Sequence, residues 1–164
     1  MTNARITEKM IRFYEGSLHD IDHFLKVWAH ARTLGALEGL DEKTLSILEK
    51  TAIVHDIACP LCREKYGSAA GPYQEIESEA LLRPFLAEFD LSSEELERII
   101  FIVSHHHTYT GVDGVDWQLM LEADFLVNAG EGGLSRESII AFRDKVFKTA
   151  SGTRILNDMY LGNA

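Results

Sequence analysis

Residues 51–60 read TAIVHDIACP, and His55 and Asp56 stand there inside a run of Ala52, Ile53, Val54, Ile57 and Ala58. A carboxylate withdrawn from water is costly unless a counter-charge meets it, so this aspartate implies a partner. Upstream, Leu45, Leu48, Ala52 and Ile53 recur at helical spacing behind Asp41, a favourable N-cap, and Pro60 forbids continuation. The stretch predicts the end of a buried helix over 42–57.

Working outward, helical periodicity fills the chain. Helices are expected over 4–14, 18–38, 72–88, 93–106, 117–129, 135–148 and 150–159. Ser17 with Asp20 and Ser92 with Glu95 predict capping boxes, and Gly39 closes the second helix. CREKYGSAAGPY (62–73) reads as a loop whose Gly67 and Gly71 suit a backbone bending close to something, with Pro72 near the next helix start and Pro84 as a kink. TGVDGVD (110–116) reads as a turn and GEGG (130–133) as a stop. No β-alternation or repeat is found. The fold class expected is all-α, a compact single-domain helical bundle over 1–164 with its core at about 18–130.

At 164 residues and 46% hydrophobic, one domain can bury roughly two thirds of its unfolded surface. A net charge of −10 without a block of Lys or Arg argues against bulk nucleic-acid binding, although a small phosphate ester held by a metal and one or two cations is compatible with it. No apolar run approaches the ~20 residues of a membrane span, and MTNARITEKM lacks the apolar core of a signal peptide, so no membrane association and a cytoplasmic location are expected. Cys59 and Cys62 form CPLC. A redox dithiol wants a thioredoxin-like strand and helix, and a zinc half-site wants a second ligand pair; with neither in sight, two reduced thiols beside a helix end are expected.

A second aspartate repeats the oddity of the first. Asp124 sits in LMLEADFLVNA (119–129), where almost no polar face remains. The lysines and arginines lie mostly in polar surroundings, whereas one divalent cation would satisfy both carboxylates and explain the adjacent His55. On a helix His55 and Asp56 point about 100° apart, close enough to reach one ion. A further imidazole is wanted, and His23 is best placed, because Val27, Ala31 and Leu34 continue its face; His19 lies one turn earlier and His30 points elsewhere.

His23, the HD doublet at 55 and 56, and Asp124 in EADFLVN together resemble the H…HD…D pattern of the HD-domain superfamily of metal-dependent phosphohydrolases. The resemblance spans roughly residues 18–130. It implies an all-α bundle with the metal between helices and His23, His55, Asp56 and Asp124 as ligands. Among His105, His106 and His107, one or two resemble the additional histidines of binuclear members; consecutive side chains fan over about 200°, so all three cannot face one ion. His106 and His107 are expected to move protons. Binuclear relatives carry a further His at the start of the helix after the loop, where GPYQEIESEALL offers none, so one ion is expected and a second is left open. Glu75 in that stretch is a candidate ligand or general base. The Glu that some nucleotidase relatives place three residues after the HD aspartate is Cys59 here. Arg63 and Lys65, followed by Gly67 and Ser68, are the expected phosphate contacts.

The reading is a metal-dependent hydrolase of a phosphate ester, such as a nucleotide or other small phosphorylated metabolite. Two imidazoles and two carboxylates suit a divalent transition metal, Mn, Fe, Co, Ni or Zn, better than Mg. Alternatives are an HD-like di-iron oxygenase, which requires two irons, and a non-catalytic nucleotide-binding or signalling module that keeps the metal structurally. The apolar faces of 4–14 and 135–148 leave a homodimer open.

Overall fold

In the computed structural model of the chain, which describes residues 2–162, this periodicity resolves into α1 (Thr2–Phe13), α2 (Leu18–Leu37), α3 (Glu42–Val54), α4 (Cys59–Tyr66), α5 (Gly71–Leu86), α6 (Ser93–Val103), α7 (Val115–Glu131), α8 (Arg136–Val146) and α9 (Ala150–Leu156). A π-helical turn, Asn157–Leu161, follows, and there is no strand among the described residues. Met1, Asn163 and Ala164, included in the single-domain reading, lie outside the described residues.

The caps account for several boundaries. Asp41 accepts from the Thr44 N–H at 3.0 Å, and Ser92 and Glu95 form the reciprocal capping box of α6. Ser17 does not cap α2: its hydroxyl donates to Asp20 Oδ2 at 2.6 Å, and Asp20 is taken by Arg63 instead of the Ser17 backbone. The stretch 62–73, expected as a loop, is helical through Tyr66, because Pro60 lacks only an N–H that the first turn of α4 would leave unpaired anyway. Gly67, at φ +67°, then ends α4 in the left-handed conformation. Other ends move by two or three residues: α3 stops at Val54, α5 at Leu86, α6 at Val103, α8 at Val146 and α9 at Leu156, while α7 runs from Val115 through Glu131 into the expected stop.

α2 packs against α3 and α7, α3 also meets α6 and α7, and α1 and α5 cover α3 and α6. Residues 47–54 are buried without a break, so the last two turns of α3 are enclosed on every side and their polar groups need partners. Glu49 accepts from Arg32, Trp28 and Asn3. On α7, fully buried Glu122 accepts from the backbone N–H of Lys148 (2.8 Å) and Thr149 (3.0 Å), from Gln118 (2.7 Å), and from the Thr149 hydroxyl. It thereby fastens the α8–α9 junction to the core. A Cβ at Gly152 would fall against the Glu122 carboxylate and 2.8 Å from Thr149 Oγ1. Gly152→Ala should therefore destabilise the fold by about 2–3 kcal/mol through overpacking, lowering Tm by about 4–12 °C. Calorimetry checks this; an unchanged Tm would mean that Glu122 is not fixed as described.

Candidate metal centre

His23 comes from α2, His55 and Asp56 from the turn that ends α3, and Asp124 from α7, three helices in mutual contact. The turn is held by Tyr14, whose buried hydroxyl donates to the Asp56 carbonyl at 2.6 Å, and by Cys59 N–H bonding the same carbonyl at 2.9 Å. His23 Nε2 lies 3.3 Å from His55 Nε2, 3.4 Å from Asp56 Oδ2 and 3.3 Å from Asp124 Oδ1. His55 Nε2 is 3.4 Å and 3.5 Å from the same two oxygens. These separations exceed those of ordinary N–H···O hydrogen bonds. They match two donors sharing one ion at bonds of about 2.0–2.4 Å, which puts neighbouring ligands about 3.0–3.5 Å apart.

The other ring nitrogens say which atoms face the cluster. His55 Nδ1 meets the Ala52 carbonyl at 2.9 Å, His106 Nδ1 the Val103 carbonyl at 2.7 Å, and His23 Nδ1 the Glu131 carboxylate at 2.8 Å. When each Nδ1–H donates there, the neutral ring keeps its lone pair on Nε2, the arrangement that outer carboxylates and carbonyls impose on metal-bound histidines. Asp124 Oδ1, His106 Nε2 and His107 Nε2 are buried with no hydrogen-bond partner. A cation would satisfy such a set; another hydrogen-bond acceptor would not. The residues fit a divalent ion.

Asp56 links two groups. His23, His55 and Asp56 form one, with donor atoms within 4.8 Å of one another; Asp56, His106 and His107 form the other, and His106 Nε2 lies 3.5 Å from Asp56 Oδ1. Asp56 is more open than its neighbours, its side chain 21% exposed against 9% or less for His23, His55, His106 and Asp124. His105 turns away onto Phe101 and Trp117. Gly71 does bend close to something: a Cβ there would meet the His107 ring at 2.6–2.8 Å. Glu75 accepts from the His107 N–H (3.1 Å) and the Thr108 hydroxyl (3.0 Å), capping the turn that carries the histidine. Both expected phosphate contacts are engaged within the protein. Arg63 grips Asp20 with two bonds of 2.7 and 2.8 Å, and Lys65 pairs with Glu77. Burial pushes both the Cys59 and Cys62 thiols up, Cys59 the further.

Glu131 is the residue that sequence reasoning missed. It follows Asp124 by seven positions, two turns along one face of α7, and that spacing was the available signal.

Burial disfavours charge on His23 and His55, but Asp124 and Asp56 outweigh it and raise both imidazoles, His55 the more. Burial likewise opposes ionisation of Asp56 and Asp124, and the facing histidines hold both carboxyls down. Without an ion, therefore, the raised imidazoles stabilise the fold fully below their unfolded value of 6.5, and this is lost as pH rises through the folded values. The lowered carboxyls stabilise it above 3.8, and this is lost as pH falls through their folded values. An ion must displace the imidazole protons. The Tm gain on adding Mn²⁺ should accordingly be small at about pH 6 and larger at about pH 8.5, with protons released on binding, as calorimetry in buffers of different ionisation enthalpy would record. A gain that shrinks with rising pH would contradict the ligand set. Glu131→Ala, by freeing His23, should weaken metal affinity about 10–100-fold without unfolding the chain, measurable by competition with a chromophoric chelator.

The chain has relatives among known proteins. The family model described as HD domain matches residues 20–142. Among solved structures, YpgQ of Bacillus subtilis aligns with a TM-score of 0.64 at 16% identity, covering 99% of this chain and 90% of its own. A predicted HD superfamily hydrolase from an uncultured Thermotogales bacterium aligns with a TM-score of 0.57 at 20% identity, covering 97% of this chain and 83% of its own. A search of curated proteins gives no match. HD domains bind divalent metals, and the match supports a metal-dependent hydrolase in general. With three quarters of its length matched and the H…HD…D residues gathered at one point, this chain belongs to the HD-domain family.

Proposed function

We propose that the chain is a phosphohydrolase of a small phosphorylated molecule, such as a nucleotide, with one divalent transition metal held by His23, His55, Asp56 and Asp124. The observation that carries this is that one oxygen of Asp56 and one of Asp124 each lie 3.3–3.5 Å from the Nε2 atoms of both His23 and His55, with each Nδ1 already engaged. A divalent ion supplies Lewis-acid chemistry when bound, drawing charge from a phosphoryl oxygen and lowering the pKa of water. The chain's own residues do the rest. Asp56, the exposed member, marks the side from which a phosphate group approaches. His107, brought down to about 4 by burial and then by His106, is neutral at pH 7 and takes a proton at Nε2 from the attacking water. His106, whose ring lies 3.9 Å from that of His107 and whose Nε2 faces the other oxygen of Asp56, takes that proton over from His107 and returns it to the leaving-group oxygen. Glu75 positions His107 through its backbone N–H. Arg63 and Lys65, on the helix after the ligand turn, bring positive charge to the phosphate once it displaces Asp20 and Glu77.

The group of Asp56, His106 and His107 favours a second, weaker ion as the next reading. Elemental analysis tests both: about one transition metal per chain should survive dialysis and vanish in the double variant His55→Ala with Asp56→Ala, and a second should enter only at excess metal and be lost in His106→Ala. Phosphate esters screened with Mn²⁺, Co²⁺ and Ni²⁺ then test the reaction. Asp56→Asn should lower turnover at least about a hundredfold, more than loss of an outer partner brings, with the fold kept by circular dichroism. A bound ion without turnover of any ester would overturn the phosphohydrolase reading in favour of a binding module.

A further inference from the structure

A cavity of about 740 Å³ opens between α8, α9 and the π-helical turn, and it shares no residue with the metal cluster. Its lining reverses the charge of the chain. The protein carries 26 acidic and 16 basic residues, yet Arg136, Arg143, Lys148 and Arg154 all face this space and Asp158 is the one acid among them. We infer that the cavity binds a small phosphorylated molecule of nucleotide size, at a site separate from the hydrolytic one.

The cations are positioned and incompletely used. Arg136 donates to the Leu161 carbonyl at 2.7 Å and Arg143 to Asn157 Oδ1 at 2.9 Å, so neutral oxygens aim both guanidinium groups. Arg143 also meets Asp144 at 2.9 Å. Lys148 and Arg154 make no ion pair among the described residues. Four positive groups line this concavity; Asp158 is the one acid in its lining, while Asp144, Glu38 and Glu137, which act on Arg143, Arg154 and Arg136, lie outside it, so the space itself carries an excess of positive charge. Arginine forks match phosphate oxygens in pairs of hydrogen bonds.

Rigidity and shape point to a small ligand. Glu122 takes the backbone N–H groups of Lys148 and Thr149, tying the floor of the cavity to the core helix α7. Ile140 and Leu161, both half-buried, give one wall an apolar surface against which a base or acyl group can lie. The volume falls within the roughly 300–1,000 Å³ of small-molecule pockets. An extended polyanion would meet the net charge of −10 on either side of this single patch, which favours a compact ligand over a nucleic acid.

The test is titration of metal-loaded wild type with α,β-methylene-ATP and with inorganic pyrophosphate by calorimetry. The same titration is made on Asp56→Ala, on chelator-stripped wild type and on the double variant Lys148→Ala with Arg154→Ala. Both of the latter side chains are exposed, so the double variant should melt as wild type does and keep its metal. The expected result is saturable binding in wild type, Asp56→Ala and stripped protein, weakened about tenfold or more in the double variant. Binding that disappears on stripping the metal and persists in the double variant would place the ligand at the metal centre and overturn the inference. Absence of saturable binding to any form up to millimolar concentration would overturn it as well. Since binding is read without turnover, failure of the phosphohydrolase reading leaves this result unaffected.

Discussion

Two carboxylates and several imidazole nitrogens are forced together in a cluster that is buried but for the edge of Asp56. Like charges a few ångström apart in such surroundings cost on the order of 4 kcal/mol. The apolar packing of α2, α3 and α7 imposes the approach, and only positive charge relieves it. A metal-free chain finds that charge in protons, which is why His23 and His55 are raised and the aspartates lowered. An ion does the same with one particle, releasing the protons. The centre of the bundle is therefore built to exchange protons for a cation.

α7 carries the consequences outward. Asp124 faces the cluster, and Glu131 two turns later orients His23. Glu122 lies on the other side of the helix, two residues from Asp124, and fastens the α8–α9 junction. Asp116 in the first turn takes Arg98 of α6 with bonds of 2.6 and 2.8 Å. Four acids on one buried helix thus serve three faces, Asp124 and Glu131 sharing one, and Asp116, Glu122 and Glu131 each bond a partner while Asp124 faces the two imidazoles. This explains how α7 can be almost wholly buried and still acidic: the charges are distributed so that none is left without a counter-charge or a donor.

The helical class and the four H…HD…D residues were legible because each violates the polarity of its surroundings, and a violation can be read locally. What escaped was set by partners distant in sequence. α4 has no amphipathic stripe to read; it is held by burial of Cys59 and Cys62, by Arg63 reaching Asp20 43 residues away, and by Lys65 reaching Glu77. The same pairs changed the outlook for the two cations expected to await phosphate. Glu131 hid between glycines that read as a helix stop. The place of His107 depends on Gly71 having no side chain, a juxtaposition that neither segment announces. Ser17 and Asp20 had the spacing of a cap, but a guanidinium fork is the stronger claim on a carboxylate than a single backbone N–H.

The donor set differs from that of a structural zinc site. Structural zinc sites are closed by four ligands, commonly thiolates, and here burial raises both thiols, Cys59 further raised by the neighbouring Asp56 carboxylate, which disfavours thiolate. Two imidazoles and two carboxylates suit ions that accept more than four ligands. Asp56, the most open of the four H…HD…D residues, is also the one whose second oxygen faces His106, so the open side of the cluster is the side on which His106 stands. A site meant only to staple helices together would gain by closing that side. Here Tyr14 and the Cys59 N–H hold the Asp56 turn by its backbone carbonyl, which fixes the carboxylate's position while leaving its side chain accessible.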